Sequence, residues 1–201
     1  MIPLPYSESC ERNKAPILEV LQQLLPSSGK ILEIGSGTGQ HIVYFAPHFP
    51  LLQWQPTDRD DYLPGLTARV GQEGSPNILS PIKLDVLDQW PDGRFDAAYS
   101  ANTAHIMGWD AVRATFAGLG AHLAPGGLYC LYGPFNQDGR FTSNSNREFD
   151  SQIRSRDPQM GLRDLEALES LASRSQMVLQ EQFPMPANNQ ILVFRKKGLQ
   201  G

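Results

Sequence analysis

The run Lys30-Ile31-Leu32-Glu33-Ile34 passes without a break into Gly35-Ser36-Gly37-Thr38-Gly39, and no other stretch limits the fold as strongly. A short apolar run that closes on alternating glycines predicts a buried strand. The loop after it can adopt positive φ and approach a ligand closely. Residues 40–45 then predict a helix that stops near Pro47. Strand, glycine loop and helix form the opening unit of an α/β sheet that binds nucleotides at its strand ends.

The rest of the chain keeps the alternation. Ile17, Leu18, Leu21, Leu24 and Leu25 recur at helical spacing within 12–25, with Pro16 acceptable in a first turn. Strands are predicted at 51–57 running into Asp58, at 82–86, at 95–100 and at 128–132. Helices are predicted at 62–71 and 110–123, the second halted by Pro125-Gly126-Gly127. Residues 133–163 read as polar and irregular, and Asp164 is placed to cap a helix to about Ser173. The runs 177–183 and 191–194 are joined by a short polar link, so they pair antiparallel, because a parallel pair needs a long crossover. The expectation is an α/β fold: a Rossmann-like sheet of seven strands, mostly parallel, with one antiparallel strand from a C-terminal hairpin and helices on both faces. A length of 201 residues suits one domain, 1–201.

The chemistry follows from the strand ends. A nicotinamide site wants G-x-G-x-x-G, and its third glycine falls here on Gln40. The pattern is instead E-x-G-x-G-x-G, with Gly35, Ser36, Gly37 and Gly39 forming the loop. Glu33 can accept hydrogen bonds relayed from the ammonium of a methionine moiety. Asp58, about 25 residues on, has the spacing of a ribose-binding acid. Asp85 can accept from an adenine amino group while Val86 offers the ring an apolar face. Together these describe a site for S-adenosylmethionine. The segment 100–106 follows the fourth strand and is placed where cofactor and acceptor meet. Asn102 can orient both, His105 can take a proton, and Tyr132 closes the fifth strand beside them; these three are the candidate catalytic residues. His41 reads as structural or as a cofactor neighbour, and Trp54 and Trp90 as packing. Two other readings stay open, a nicotinamide-dependent oxidoreductase and a non-catalytic module that binds S-adenosylmethionine. Gln40 and the antiparallel hairpin speak against the first.

A net charge of −4 argues against a general nucleic-acid binder and for a small-molecule acceptor. Cys10 and Cys130 lie far apart without metal spacing, so neither a zinc site nor a disulfide framework is expected. No apolar run is long enough to span a membrane, and the N-terminus lacks the pattern of a signal peptide. The expected compartment is the cytoplasm.

The glycine loop, Asp58, Asp85-Val86 and Pro125-Gly126-Gly127 resemble class I methyltransferases. Longer strings resemble one branch, the methyltransferase-like 26 family (domain of unknown function 938). They include Glu11-Arg12-Asn13-Lys14-Ala15-Pro16-Ile17-Leu18, Gly37-Thr38-Gly39-Gln40-His41 and Trp54-Gln55-Pro56-Thr57-Asp58. Leu131-Tyr132-Gly133-Pro134-Phe135, Gly161-Leu162-Arg163-Asp164-Leu165-Glu166 and Met185-Pro186-Ala187-Asn188-Asn189 carry the likeness across nearly the whole chain. The resemblance implies the cofactor and the fold but no known acceptor. It also draws attention to the flanks. Residues 1–26 are expected to form an N-terminal helix and cap, with 6–14 folding over the cofactor and Arg12 pairing with a carboxylate of cofactor or acceptor. Residues 136–163 are expected to form a lid, lined by Asn144, Asn146, Arg147 and Arg154.

Overall fold

The computed structural model describes residues 4–198. Residues 1–3 of the expected cap, and the expected domain limits at 1 and 201, fall outside the described residues. The strands are β1 (Gly29–Ile34), β2 (Leu52–Asp58), β3 (Ile82–Lys83), β4 (Phe95–Ala101), β5 (Leu123–Gly133), β6 (Phe135–Gln137), β7 (Arg140–Phe141), β8 (Arg163–Asp164), β9 (Met177–Met185) and β10 (Asn189–Lys196). The helices are α1 (Glu8–Leu24), α2 (Gln40–Phe45), α3 (Leu63–Glu73), α4 (Trp109–His122), α5 (Asn144–Arg156) and α6 (Leu165–Arg174).

The main sheet has seven strands in the order β3-β2-β1-β4-β5-β10-β9. β10 runs antiparallel to both its neighbours, and the other pairings are parallel. The expected sheet is therefore present, including its one antiparallel strand. Its central strands are buried on both faces and so read as continuous apolar runs. Side chains alternate along them. Leu32, Tyr129 and Leu131 pack with α4 and α6, while Ile31, Cys130 and Tyr132 pack with α1 and α2.

Five local expectations need correction. The first helix starts at Glu8, so Pro16 lies in its interior and not in its first turn. Ser7 caps it by accepting from the Cys10 N–H (3.4 Å), and Glu8 and Glu11 suit the positive end of the helix dipole. Burial of Ile17, Leu18, Val20 and Leu21 offsets the backbone bond that proline removes. The third strand spans only Ile82–Lys83. Leu84 N–H still donates to Asp58 O (2.9 Å), but the Asp85 side chain then accepts from Leu87 N–H (3.0 Å) and turns the chain away. The fifth strand begins at Leu123 and contains Pro125-Gly126-Gly127, which bulges out between the pairs Phe95↔Leu123 and Ala97↔Leu128. Residues 133–163 are ordered: β6 pairs with β7 and β8 in a small second sheet, and Ser143 caps α5 by accepting from Asn146 N–H (3.0 Å). Asp164 does stand at the start of α6, but its side chain makes no cap bond there and Oδ1 is buried without a partner.

Among the described residues no helix is long and apolar enough to cross a membrane.

Candidate functional site

The chain leaves β1 toward β2 on one side and returns from β3 to β4 on the other. The β1–β4 seam is therefore the switch point of the sheet, where crevices for ligands open beyond the strand ends. The glycine loop leaves β1 there and Asn102 follows β4. The two loops touch: a Cβ on Gly35 would fall 2.7 Å from Thr103 Cγ2. Gly37 differs. Its φ is +54° and a Cβ built on it meets nothing within 4 Å, so this backbone borders open space.

Two of the acids expected here, Glu33 and Asp58, meet at the loop. Asp58 accepts from Gly37 N–H (2.6 Å) and from Arg59 N–H (2.8 Å), which leaves lone pairs on both oxygens. Burial still raises its pKa. Glu33 is buried, and one oxygen accepts from Ser36 Oγ (2.6 Å). Loss of water pushes its pKa up to about 7, with the Asp58 charge adding to the rise. Asp85 and Val86 lie just beyond β3, past the end of β2. An adenosyl group carrying an ammonium asks for buried acid, a diol acceptor, an adenine acceptor and backbone without side chains. Glu33, Asp58, Asp85 and Gly37 fit that set in kind.

The N-terminal segment is tied onto this loop by residues whose part the sequence did not reveal. Gln40 accepts from Ser7 N–H (2.6 Å) and Thr38 Oγ1 (2.9 Å) and donates to Glu11 (2.6 Å). Arg69, buried on α3, donates to Thr38 O (2.7 Å) and Pro5 O (2.6 Å). His41 Nε2 lies 2.7 Å from Asn13 Oδ1, and burial lowers its pKa to about 4. A neutral ring must donate from Nε2 here, so His41 holds Asn13 in place and is no base. Only Arg69 gave a sequence signal, a cation three residues from Leu66 on the buried face of a helix.

A cavity of about 620 Å³ opens beside these loops. α1 contributes Ser9, Arg12 and Asn13; the ends of β4 and β5 contribute Asn102, Tyr132 and Pro134. α5 adds Ser145, Asn146 and Phe149, and residues 186–189, which the sequence marks as a link and as part of a family string but not as a site, add the rest. Asn102 has φ +58°, a left-handed conformation that asparagine tolerates better than most residues, and its N–H donates to Tyr132 O (2.9 Å). Burial raises the Tyr132 phenol, partly countered by a hydrogen bond with Asn13. Arg12 lies at the surface, bonded to Glu8 (3.2 Å) on its own helix. His105 does not line the cavity. It is buried one ring away, edge-on to Phe149 at 5.1 Å, and burial, then the charge of Arg163, lowers its pKa to about 4. Arg147 and Arg154 do not line it either; Arg147 sits over Phe141 and Arg154 pairs with Asp150. Trp54 is fully buried, and Trp90 stacks on His122.

Comparison with known proteins gives a family and a fold. The sequence profile of a family described as "Protein of unknown function (DUF938)" matches residues 4–196. Among solved structures, an O-methyltransferase family protein from Burkholderia thailandensis superposes with a TM-score of 0.80 at 12% identity, over 93% of this chain and 57% of its own. An O-methyltransferase family 2 protein from Planctomyces limnophilus, in complex with apigenin, gives 0.80 at 15%, over 94% and 57%. CalO1, a methyltransferase of calicheamicin biosynthesis in its SAH-bound form, gives 0.73 at 17%, over 91% and 54%. The fold is that of the class I methyltransferases. The chain spans little more than half the length of these structures.

Proposed function

We propose that this chain, which belongs to the DUF938 family of proteins of unknown function, transfers a methyl group from S-adenosylmethionine to a small-molecule acceptor. The observation that carries the reading is the junction at the β1–β4 seam. A glycine loop with buried acids stands on one side, and the cavity entered by Asn102 and Tyr132 on the other. Its volume lies inside the range of about 300–1,000 Å³ usual for small ligands.

When bound, S-adenosylmethionine supplies an activated methyl whose leaving group is already good. The protein's task is then chiefly alignment. Gly35, Ser36, Gly37 and Gly39 give the cofactor a close backbone bed. Asp58 accepts from the ribose hydroxyls, Asp85 and Val86 hold the adenine, and Glu33 with Ser36 receives the ammonium. Asn102 and Tyr132 orient the acceptor, while His105, buried behind Phe149 and off the cavity, packs its wall and takes no proton from the acceptor. Arg12 pairs with a carboxylate of cofactor or acceptor. The chain works as one domain in which 1–26 form the cap and 136–163 the lid.

The test is transfer of a labelled methyl group from S-adenosylmethionine into a metabolite extract. Label in a low-molecular-weight product is expected. Label in protein or RNA only, or none in any fraction, would overturn the reading.

A further inference from the structure

The cavity sorts its polar atoms in a particular way. Asn146 is only 4% exposed, and its Nδ2 donates to Thr142 Oγ1 (2.9 Å) and to the main-chain carbonyl of Asn188 (3.1 Å). A carbonyl can only accept, so this amide cannot be turned over. Oδ1 is then fixed as the free end. The sealed-off polar side-chain atoms without a partner, among the described residues, are Trp54 Nε1, Asn136 Oδ1 and Asp164 Oδ1. Asn146 Oδ1 is not one of them, so it opens onto the cavity that Asn146 lines. Asn189 repeats the arrangement. Its Nδ2 donates to the carbonyls of Pro186 (3.0 Å) and Ala187 (3.3 Å), which again leaves Oδ1 as an acceptor. The turn that allows this holds Ala187 and Asn188 in the left-handed region, at φ 58° each.

The charge is equally lopsided. Arg12 is the one charged side chain among the described residues that line the cavity, and no carboxylate joins it. Its bond to Glu8 is a surface pair one helical turn apart, with side chains 69% and 79% exposed, and such a pair is weak enough to yield to a ligand. Tyr132, Phe149 and Pro134 supply apolar walls.

We propose that the cavity takes a small organic anion that also carries a hydroxyl or amine, the anion paired with Arg12 and the donor bonded to Asn146 Oδ1, with Asn189 Oδ1 open to the second proton of an amine. This rests on the reading of the cavity as the acceptor site. An acceptor lacking the donor displaces water from the fixed Asn146 Oδ1 without replacing its hydrogen bond, which is a stronger basis for rejection than lost contact area.

Three matched probes test it: 4-(hydroxymethyl)benzoate, benzoate without the donor, and benzyl alcohol without the anion. Each is titrated by calorimetry into the protein, alone and with saturating S-adenosylhomocysteine. The hydroxy acid is expected to bind roughly three- to ten-fold more tightly than benzoate, the worth of a neutral hydrogen bond. It is expected to bind about three-fold more tightly than benzyl alcohol, the worth of an ion pair to an exposed side chain. Asn146→Ala cancels the first margin and keeps the second; Arg12→Gln does the reverse. Should Asn146→Ala fail to fold, Asn146→Ser, which keeps a hydroxyl donor for Thr142 or the Asn188 carbonyl but withdraws the amide oxygen, is expected to reduce the first margin. Equal affinities, no binding of the hydroxy acid, or variants that leave both margins intact would overturn the proposal. Absence of S-adenosylhomocysteine binding would sink the methyltransferase reading instead, while the titrations on the protein alone still decide this one.

Discussion

Glu33→Gln should make the protein's stability less dependent on pH. Glu33 is buried beside Asp58, and its carboxyl has moved from an ordinary 4.5 to about 7. The folded state therefore holds this proton more tightly than the unfolded chain. Stability is full below about pH 4.5 and declines as pH rises through about 7, after which the loss is complete. At about 1.4 kcal/mol per tenfold change in proton affinity, the loss is roughly 3 kcal/mol. Glutamine keeps an oxygen for the Ser36 hydroxyl and carries no charge. Urea denaturation at pH 5 and pH 8.5, without ligand, is the assay. The wild type should lose about 2.5 kcal/mol between these values, part of the loss being already complete at pH 5, and Glu33→Gln much less, so the two curves converge or cross at high pH. Asp58, also raised, contributes at the acid end in both proteins. If wild type and variant kept parallel profiles, the burial argument for Glu33 would be wrong.

Other expectations follow from the same geometry. Binding of S-adenosylhomocysteine near pH 7 should release protons as its ammonium converts Glu33 to the anion; calorimetry in buffers of different ionisation enthalpy reads this, and Glu33→Gln should abolish it. Arg69→Met removes bonds to Pro5 O and Thr38 O and should cost about 2 kcal/mol or more, with faster hydrogen exchange across residues 5–14. Asn102→Gly should be about 1 kcal/mol more stable than Asn102→Ala, because the backbone there is left-handed; equal stability would contradict the role given to that conformation. His105→Ala should keep near-normal turnover, because the ring lies behind Phe149 and outside the cavity; lost turnover in a variant of unchanged stability would contradict that placement.

The sequence made the sheet legible because its central strands carry their own punctuation. Leu32 to Gly39 marks a strand end and a glycine loop in one string, and the short link after Met185 forces an antiparallel return. α5 was not legible because only Phe149 and Ile153 give it an apolar period; its order comes from Ser143, from Asp150 accepting Leu162 N–H (2.7 Å), and from packing against residues far along the chain. The residues 186–189 illustrate the same limit. Their contacts to Asn146 span 42 positions, and no local pattern encodes them. Gln40 was legible as the missing third glycine of a nicotinamide loop but not as the side chain that binds Ser7 and Glu11, because that bond exists only once α1 lies over the loop. His105 shows the opposite error: its place after β4 suited a cavity residue, yet the ring turns inward against Phe149.

The central claim is that the glycine loop and its acids hold an adenosyl cofactor. Calorimetric titration of S-adenosylhomocysteine into the wild type and Asp58→Ala tests it most directly. The account predicts one site per chain, and a loss of roughly ten- to a hundred-fold in affinity in the variant, the worth of charge-assisted hydrogen bonds to the ribose. Binding of NAD with none of S-adenosylhomocysteine, or affinity unchanged in Asp58→Ala, would contradict it.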